Sequence, residues 1–156
     1  MNGKWVGAFL ISAGLAAGAF MYYQQVYAYY EPVAFTPGAE ILLTPVTGGQ
    51  PEAILVNDVT GTDGESSPIR FRACFTTPTS LATLTETYVV YEKPEPLIAP
   101  PWFDCFDAGE IGTALEQGRA VAFLSVADIR PGVDRVVAVM EDGRAFAWQQ
   151  LNGAAE

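Results

Sequence analysis

The sequence contains no histidine among its 156 residues. This absence excludes Ser-His-Asp and Cys-His catalytic sites, histidine-ligated zinc or haem, and a phospho-accepting histidine. A phosphate-binding glycine loop, a nucleophile elbow and a dinucleotide fingerprint are also missing. We therefore expect a protein that is not an enzyme and that holds no metal and no cofactor.

Basic residues are scarce, and they are unevenly placed along the chain. Lys4 is the only one before residue 70, and the first acidic residue is Glu31. Residues 31–156 hold all 18 acidic residues and seven of the eight basic ones, which gives this part a formal charge of −11. Such a charge repels nucleic acid and attracts basic partners, although acidity can also serve only solubility.

Residues 5–30 contain no charged residue. The strongly apolar part, from Trp5 to Tyr23, is about 28 Å long as a helix, close to the ~30 Å hydrocarbon core of a bilayer. Aromatic residues typical of membrane interfaces lie at both ends. They are Trp5 at one end and Tyr22, Tyr23 and Tyr27 at the other. The pattern predicts a transmembrane anchor with its interfacial end over residues 1–30.

The alternative to a retained anchor is a cleaved signal peptide. Residues 17–19 (AGA) resemble a cleavage site of the A-x-A type. Against cleavage, the apolar run continues through Phe20, Met21 and Tyr22, where polar chain is expected after a cleaved signal. We favour the anchor.

The direction of insertion follows from the charges that flank the helix. Lys4 and the amino terminus precede it, and no basic residue follows for about 45 residues. The positive-inside rule then places the N-terminus in the cytoplasm and the C-terminal domain outside it. In a bacterium this means a single-pass inner-membrane protein with a periplasmic domain.

Three glycines share one side of the predicted helix. At ~100° per residue, Gly7, Gly14 and Gly18 lie within about 40° of each other around the helix axis. Gly14 and Gly18 form a G-x-x-x-G pair, which lets a second helix approach closely. We expect helix packing against another membrane protein here, although glycine is also common in membrane helices.

The remaining chain predicts a linker over 31–38, one α+β domain over 39–152 and a frayed tail over 153–156. Short apolar runs separated by turn signals indicate strands of a mainly antiparallel sheet. Predicted strands cover 40–45, 53–59, 69–75, 120–126, 133–140 and 144–151. Two short helices are predicted after the capping residues Ser80 and Asp107, and 60–67 is predicted to be a polar loop.

Cys74 and Cys105 are the only cysteines. A pair of cysteines in an exported domain favours a structural disulfide, and the spacing is not the C-x-x-C of a redox pair. Free thiols, or a redox or metal role, are the alternatives.

Three further groups of residues could form binding sites. Arg70 and Arg72 lie on one strand face and could bind an anion or form internal ion pairs. Asp58, Asp63 and Glu65 could bind calcium, but their spacing does not match an EF-hand, which favours a solvated loop. The aromatic segment 102–106 is expected to be core beside a disulfide rather than a binding platform.

Several segments resemble an uncharacterised family of small single-pass alphaproteobacterial membrane proteins. They are MNGKWVGAFLISAG at the start, QVYAYYE after the anchor, and the stretches 66–88, 99–124 and 134–152. Members are sometimes labelled histidine kinases, a label that a chain without histidine or an ATP-binding motif does not support. The resemblance implies a Gram-negative inner membrane and supplies no catalytic residues.

Three functions are considered for the chain. An enzyme that uses Cys74 or Cys105 is the least favoured of them, and the other two are not catalytic. The first is a non-catalytic accessory subunit of an inner-membrane complex, with a respiratory complex as the natural host. Its helix would contact other subunits and the lipid bilayer, and its acidic domain could recruit a basic soluble partner such as a cytochrome c. The second is a free-standing, membrane-tethered periplasmic binding or assembly factor.

Overall fold

A long apolar helix opens the structure. In the computed structural model, which describes residues 2–154, α1 spans Gly3–Tyr23 and continues into a wider π-helical segment, Gln24–Ala28. The combined 26 residues form a helix long and apolar enough to cross a membrane, about 39 Å at 1.5 Å per residue. No α1 residue is buried. The helix runs without a break through residues 17–19, where signal cleavage was the alternative.

Within the described residues, eight strands and two helices follow the anchor. The strands are β1 (Glu31–Pro32), β2 (Leu42–Leu43), β3 (Glu52–Ala53), β4 (Asn57–Asp63), β5 (Arg72–Thr76), β6 (Ala120–Arg130), β7 (Val133–Met140) and β8 (Arg144–Leu151). The helices are α2 (Leu81–Thr87) and α3 (Ala108–Glu116). Six strands form an antiparallel sheet in the order β1-β4-β5-β8-β7-β6, and β2 pairs with β3 separately. The α+β prediction is confirmed.

Both faces of the large sheet are covered by a hydrophobic core. The side chains in and next to β5 contribute to both cores. Phe71, just before the strand, and Ala73 belong to a core that includes Leu43 of β2 and Leu84 of α2. Cys74 points into the opposite core, which includes Ile111 of α3. Successive side chains of a strand point to opposite faces, and the strand predicted over 69–75 begins only at Arg72.

Local signals place the two helices as predicted, and they also form the turn between β7 and β8. The Ser80 hydroxyl accepts a hydrogen bond from the Thr83 amide at 3.3 Å, and the Asp107 carboxylate accepts one from the Glu110 amide at 2.9 Å. These side chains satisfy N–H groups that the first helical turn leaves free. Gly143 adopts a positive φ of 89° in the β7–β8 turn, a conformation that glycine tolerates.

The predicted linker is wrong in its first residues, because 31–32 form the edge strand of the sheet. Pro32 pairs with Thr62 of β4, and the Thr62 hydroxyl donates to the Glu31 carbonyl at 3.2 Å. The same pairing makes 60–63 a strand instead of a loop, since β1 and β5 satisfy its backbone on both sides. The predicted strand 53–59 is interrupted over 54–56.

The chain beyond β8 has no regular structure in its described part. Gly153 adopts a positive φ, and the Ala154 amide donates to the Asn152 side-chain oxygen at 2.9 Å. Residues 155–156 of the predicted frayed tail lie outside the described residues.

Candidate functional site at the junction of helix and domain

The helix is packed against the domain where it ends. The Trp102 indole N–H donates a hydrogen bond of 2.6 Å to the carbonyl of Val26 in the π-helical segment. The Trp102 ring stacks on Tyr27 with 6.5 Å between centroids and meets Tyr30 edge-on at 6.0 Å. Because the last carbonyls of a helix lack intrahelical partners, this indole satisfies one of them. We call Val26–Tyr30 together with Gly64, Arg70 and Trp102 the junction.

Trp102 differs from the sequence prediction for the aromatic segment 102–106. Phe106 is core, as predicted, and contacts Phe146 and Trp148 edge-on. Trp102 is 39% exposed and contacts the anchor instead. An indole combines a large apolar ring with one donor, which suits a site at a membrane surface. Its sequence neighbours gave no signal for this long-range contact.

Gly64 of the domain permits the close approach of the backbone at the end of the anchor. A Cβ there would overlap the Tyr29 carbonyl oxygen and come within 2.8 Å of Arg70 Cδ. The backbone at Gly64 has an ordinary φ, so the constraint is space alone. The domain surface therefore fits the end of the anchor at this residue.

Arg70 faces the anchor. Its guanidinium carbon lies 5.5 Å from the Tyr29 ring centroid and 5.0 Å from that of Tyr30, within cation–π range. Its Nε is buried, and no acceptor for it exists among residues 2–154. No carboxylate of the described chain forms an ion pair with it. The predicted internal ion pair is therefore wrong for Arg70, and its anion-binding alternative stays open.

Arg72 is a structural residue that holds the segment around Leu97 and Ile98 in place. It is 4% exposed and donates to the carbonyls of Leu97 and Ile98 at 3.0 Å each. One Nη donates to the carbonyls of Ile69 and Phe71 at 2.7 and 2.6 Å. The predicted carboxylate pairing is wrong here too, since backbone oxygens take the donors. Burial lowers the pKa of Arg72 to about 10, so it stays charged at neutral pH.

An open groove of about 510 Å³ lies beside the junction, and we call it the junction groove. It is lined by Gln25, Tyr29 and Tyr30 from the end of the anchor and by Ser67, Arg70 and Arg72 from the domain, among others. A second cavity of about 150 Å³ also borders Tyr29, and Glu31 and Glu65 line it. The junction groove is thus lined by positively charged side chains, and the neighbouring cavity by negatively charged ones.

The disulfide supports the loop that carries Trp102. Cys74 of β5 is bonded to Cys105, which confirms the predicted pairing. Cys105 lies three residues after Trp102 and directly before the core residue Phe106. The bond therefore ties the Trp102 loop to the central sheet.

The anchor residues named in the sequence analysis lie apart from the junction, except at the C-terminal end of the anchor. Apart from the helix's own nearby backbone and the adjacent residues, no atom lies within 4 Å of the position that a Cβ would take at Gly7, Gly14 or Gly18. Trp5 and Tyr22 are exposed, and Tyr23 stacks on Tyr27 with 5.8 Å between centroids. The glycine stripe is therefore an open surface, and the tyrosines continue into the junction.

The three acidic residues considered as calcium ligands, for which a solvated loop was favoured, do not form a metal site. Asp58 is exposed near the start of β4, and Asp63 at its end accepts a hydrogen bond from the Gly64 amide at 2.7 Å. No group of three metal-binding side chains is found within residues 2–154.

A second buried polar network surrounds Asp134 of β7. Asp134 accepts hydrogen bonds from the Tyr91 hydroxyl at 3.0 Å, the Asp128 amide at 2.9 Å and the Asn152 amide group at 2.9 Å. Burial and this hydrogen bond raise the pKa of Tyr91 to about 12. Because these donors satisfy Asp134, the network is a structural feature.

Residues 41–156 match the model of a family described as Family of unknown function (DUF6446). The chain belongs to this family. The expectation of an uncharacterised family is thereby confirmed. The match covers Gly64, Arg70 and Trp102 on the domain side of the junction and begins after the anchor and β1. Neither the curated proteins nor the solved structures contain a match to the chain.

Replacing Gly64 with alanine is expected to disrupt the junction. The added methyl cannot coexist with the Tyr29 carbonyl, and overpacking of this kind costs about 1–3 kcal/mol. We expect faster amide hydrogen exchange at β1 and around Tyr29. The matched control is Gly112→Ala in α3, where a Cβ meets nothing within 4 Å and helix propensity favours alanine. Unchanged exchange at β1 in Gly64→Ala would show that the junction is not tightly packed.

Proposed function

We propose that the chain is a non-catalytic accessory subunit of a bacterial inner-membrane protein complex. Its helix docks against other membrane helices and its acidic domain lies at the periplasmic surface. The observation that carries the proposal is the combination of an unburied anchor helix with a packed junction. A flexible tether would need no such junction, whereas a docked subunit gains from a fixed domain position.

The surface of the anchor supports docking by close helix contact. All residues of α1 remain free of tertiary burial, and the space beside Gly7, Gly14 and Gly18 is open. Without a hydrophobic driving force inside a bilayer, helices associate through close van der Waals packing at small residues. The stripe offers such a surface on one side of the helix.

The disulfide and the charge distribution support a periplasmic domain. Disulfides persist in oxidising compartments, of which the periplasm is one, and Cys74–Cys105 lies in the domain beyond the anchor. Lys4 is the only charged side chain ahead of the anchor's apolar run, which by the positive-inside rule keeps the N-terminus in the cytoplasm. Both observations favour the same orientation.

The acidic surface supports recruitment of a basic partner. Within residues 2–154, ion pairs join only Arg144 to Glu110 and to Asp142, so most carboxylates of the −11 segment remain unneutralised. Long-range attraction of this kind raises association rates at low ionic strength. A respiratory complex that reacts with a basic soluble cytochrome c is the host that we propose.

The buried polar residues support a non-catalytic domain. Arg72 donates to backbone carbonyls, and the Thr62 and Thr77 hydroxyls donate to the carbonyls of Glu31 and Leu55. The buried glutamines behave similarly, since the Gln150 amide donates to the Lys93 carbonyl at 3.0 Å. Within residues 2–154 these buried groups hold loops in place through hydrogen bonds to backbone carbonyls.

Replacing Gly14 with leucine is expected to reduce co-purification of the partner subunits at least about tenfold, because a large side chain separates the helices by several ångströms. The chain, tagged at its C-terminus, would be purified in mild detergent and its partners quantified by mass spectrometry. The matched control is Ala16→Leu, which lies about 200° from Gly14 around the helix. Equal partner recovery from both variants would contradict docking through the glycine stripe.

A further inference from the structure

The junction groove lies at the depth of lipid headgroups. The apolar run from Trp5 to Tyr23 already accounts for about 28 Å, nearly the whole hydrocarbon core. The groove begins at Gln25 and ends beside Tyr30, so it lies just above the apolar layer. Phospholipid phosphates are the most abundant anions at this level, and the adjoining anchor keeps the groove beside them.

Arg70 has a fixed position at the groove, and no carboxylate among residues 2–154 pairs with its charge. Its guanidinium is positioned against the Tyr29 and Tyr30 rings, its Nε is buried, and residues 2–154 provide neither an acceptor for that Nε nor an ion-pair partner. A buried donor without an acceptor is unfavourable. A phosphate in the groove would neutralise the charge of the guanidinium through charge-assisted hydrogen bonds, for which this planar group is suited.

Neighbouring groups strengthen the preference for a phosphate. Arg72 also borders the groove, and since backbone carbonyls use its donors it contributes mainly positive charge. Gln25 and Ser67 border the groove as well and add neutral hydrogen-bonding groups. The groove therefore combines two positive charges with polar groups in an otherwise acidic domain.

The second cavity indicates which headgroup fits. It shares Tyr29 with the junction groove, and Glu31 and Glu65 line it. Two carboxylates next to a phosphate site disfavour a headgroup with a net negative charge and favour one that ends in an ammonium. The net acidity of the domain acts in the same direction, because it repels anionic lipids.

We propose that the junction binds the zwitterionic headgroup of phosphatidylethanolamine. Arg70 contacts the phosphate in the junction groove, and Glu31 and Glu65 accept hydrogen bonds from the primary ammonium in the neighbouring cavity. Phosphatidylcholine carries three methyl groups on that nitrogen and has no N–H to donate, so it binds more weakly. The lipid site needs no partner protein and can be tested on the chain alone.

Lipid binding by the full chain in mild detergent tests this proposal. Native mass spectrometry would count bound dioleoyl phosphatidylethanolamine, phosphatidylcholine and phosphatidylglycerol. We expect phosphatidylethanolamine to bind best and Arg70→Gln to weaken it at least about tenfold. Glu65→Gln should reduce the preference over phosphatidylcholine. The matched control is Arg119→Gln, which removes the same charge from an exposed site lined by other residues.

The opposite outcomes are equally clear. Equal loss of phosphatidylethanolamine from Arg70→Gln and Arg119→Gln would overturn the proposal, as would tighter binding of phosphatidylglycerol than of phosphatidylethanolamine. Displacement of the lipid by millimolar inorganic phosphate would identify a free-anion site instead. Thermal unfolding of each variant is measured alongside. Arg70→Lys, which keeps the charge but not the planar donor, is expected to restore only part of the binding.

Discussion

Replacing both Cys74 and Cys105 with alanine is expected to lower the free energy of unfolding of the domain by about 3–4 kcal/mol. The bond joins residues 31 positions apart, and a crosslink of that span reduces the entropy of the unfolded chain by this amount. Cys74 is also packed in the core that contains Phe106 and Trp148, so the alanine leaves unfilled space. Calorimetry in mild detergent should show unfolding about 10–20 °C lower.

Two controls isolate the disulfide as the cause. Wild-type protein with a reductant should unfold near the temperature of the double variant, and the double variant should not respond to the reductant. A loss below about 1 kcal/mol would mean that packing around α3 holds the Trp102 loop without the bond. In that case the loop that reaches the anchor would not depend on the crosslink.

Replacing Arg72 with methionine is expected to cost about 2–4 kcal/mol. Methionine fills much of the same volume but leaves the carbonyls of Leu97 and Ile98 without the guanidinium donors, and buried unsatisfied acceptors are costly. Part of that loss is offset, because the variant no longer buries a charged group, and it is burial that lowers the pKa of Arg72. Urea denaturation followed by tryptophan fluorescence measures the difference.

Arg119→Gln is the matched control for this substitution. Arg119 is exposed and its Nε donates only to the nearby Gln117 side chain at 2.9 Å, so its loss should change stability by less than about 0.5 kcal/mol. Arg72→Lys should recover a fraction of the stability, since one ammonium cannot serve four separated carbonyls. Equal stability of Arg72→Met and Arg119→Gln would refute the structural role.

The sequence predicted the features that depend on neighbouring residues. Capping by Ser80 and Asp107 and the β7–β8 turn at Gly143 are local, so each could be recognised from a few positions. Within the predicted strand 69–75, Phe71 and Ala73 lie in one core and Cys74 lies in the other. The cysteine pair was predicted from count and compartment, without any knowledge of its geometry.

The junction could not be predicted, because distant residues form it. Trp102 and Val26 are 76 residues apart, and the segment between them gave no sign that they meet. Pro32 was assigned to a linker because proline is a poor strand former, yet at a sheet edge its missing N–H has no cost. Arg70 and Arg72 occupy similar positions in the sequence. Only the fold shows that Arg72 is surrounded by backbone carbonyls and that Arg70 faces tyrosine rings.

The most direct measurement is the native mass of the wild-type chain in mild detergent, purified through a C-terminal tag at low and at high salt. A subunit docked by its helix should migrate with a larger membrane complex at both salt concentrations, because contacts inside the bilayer are insensitive to ionic strength. Migration of the chain alone at both salt concentrations would contradict the accessory-subunit proposal and favour a free-standing tethered factor.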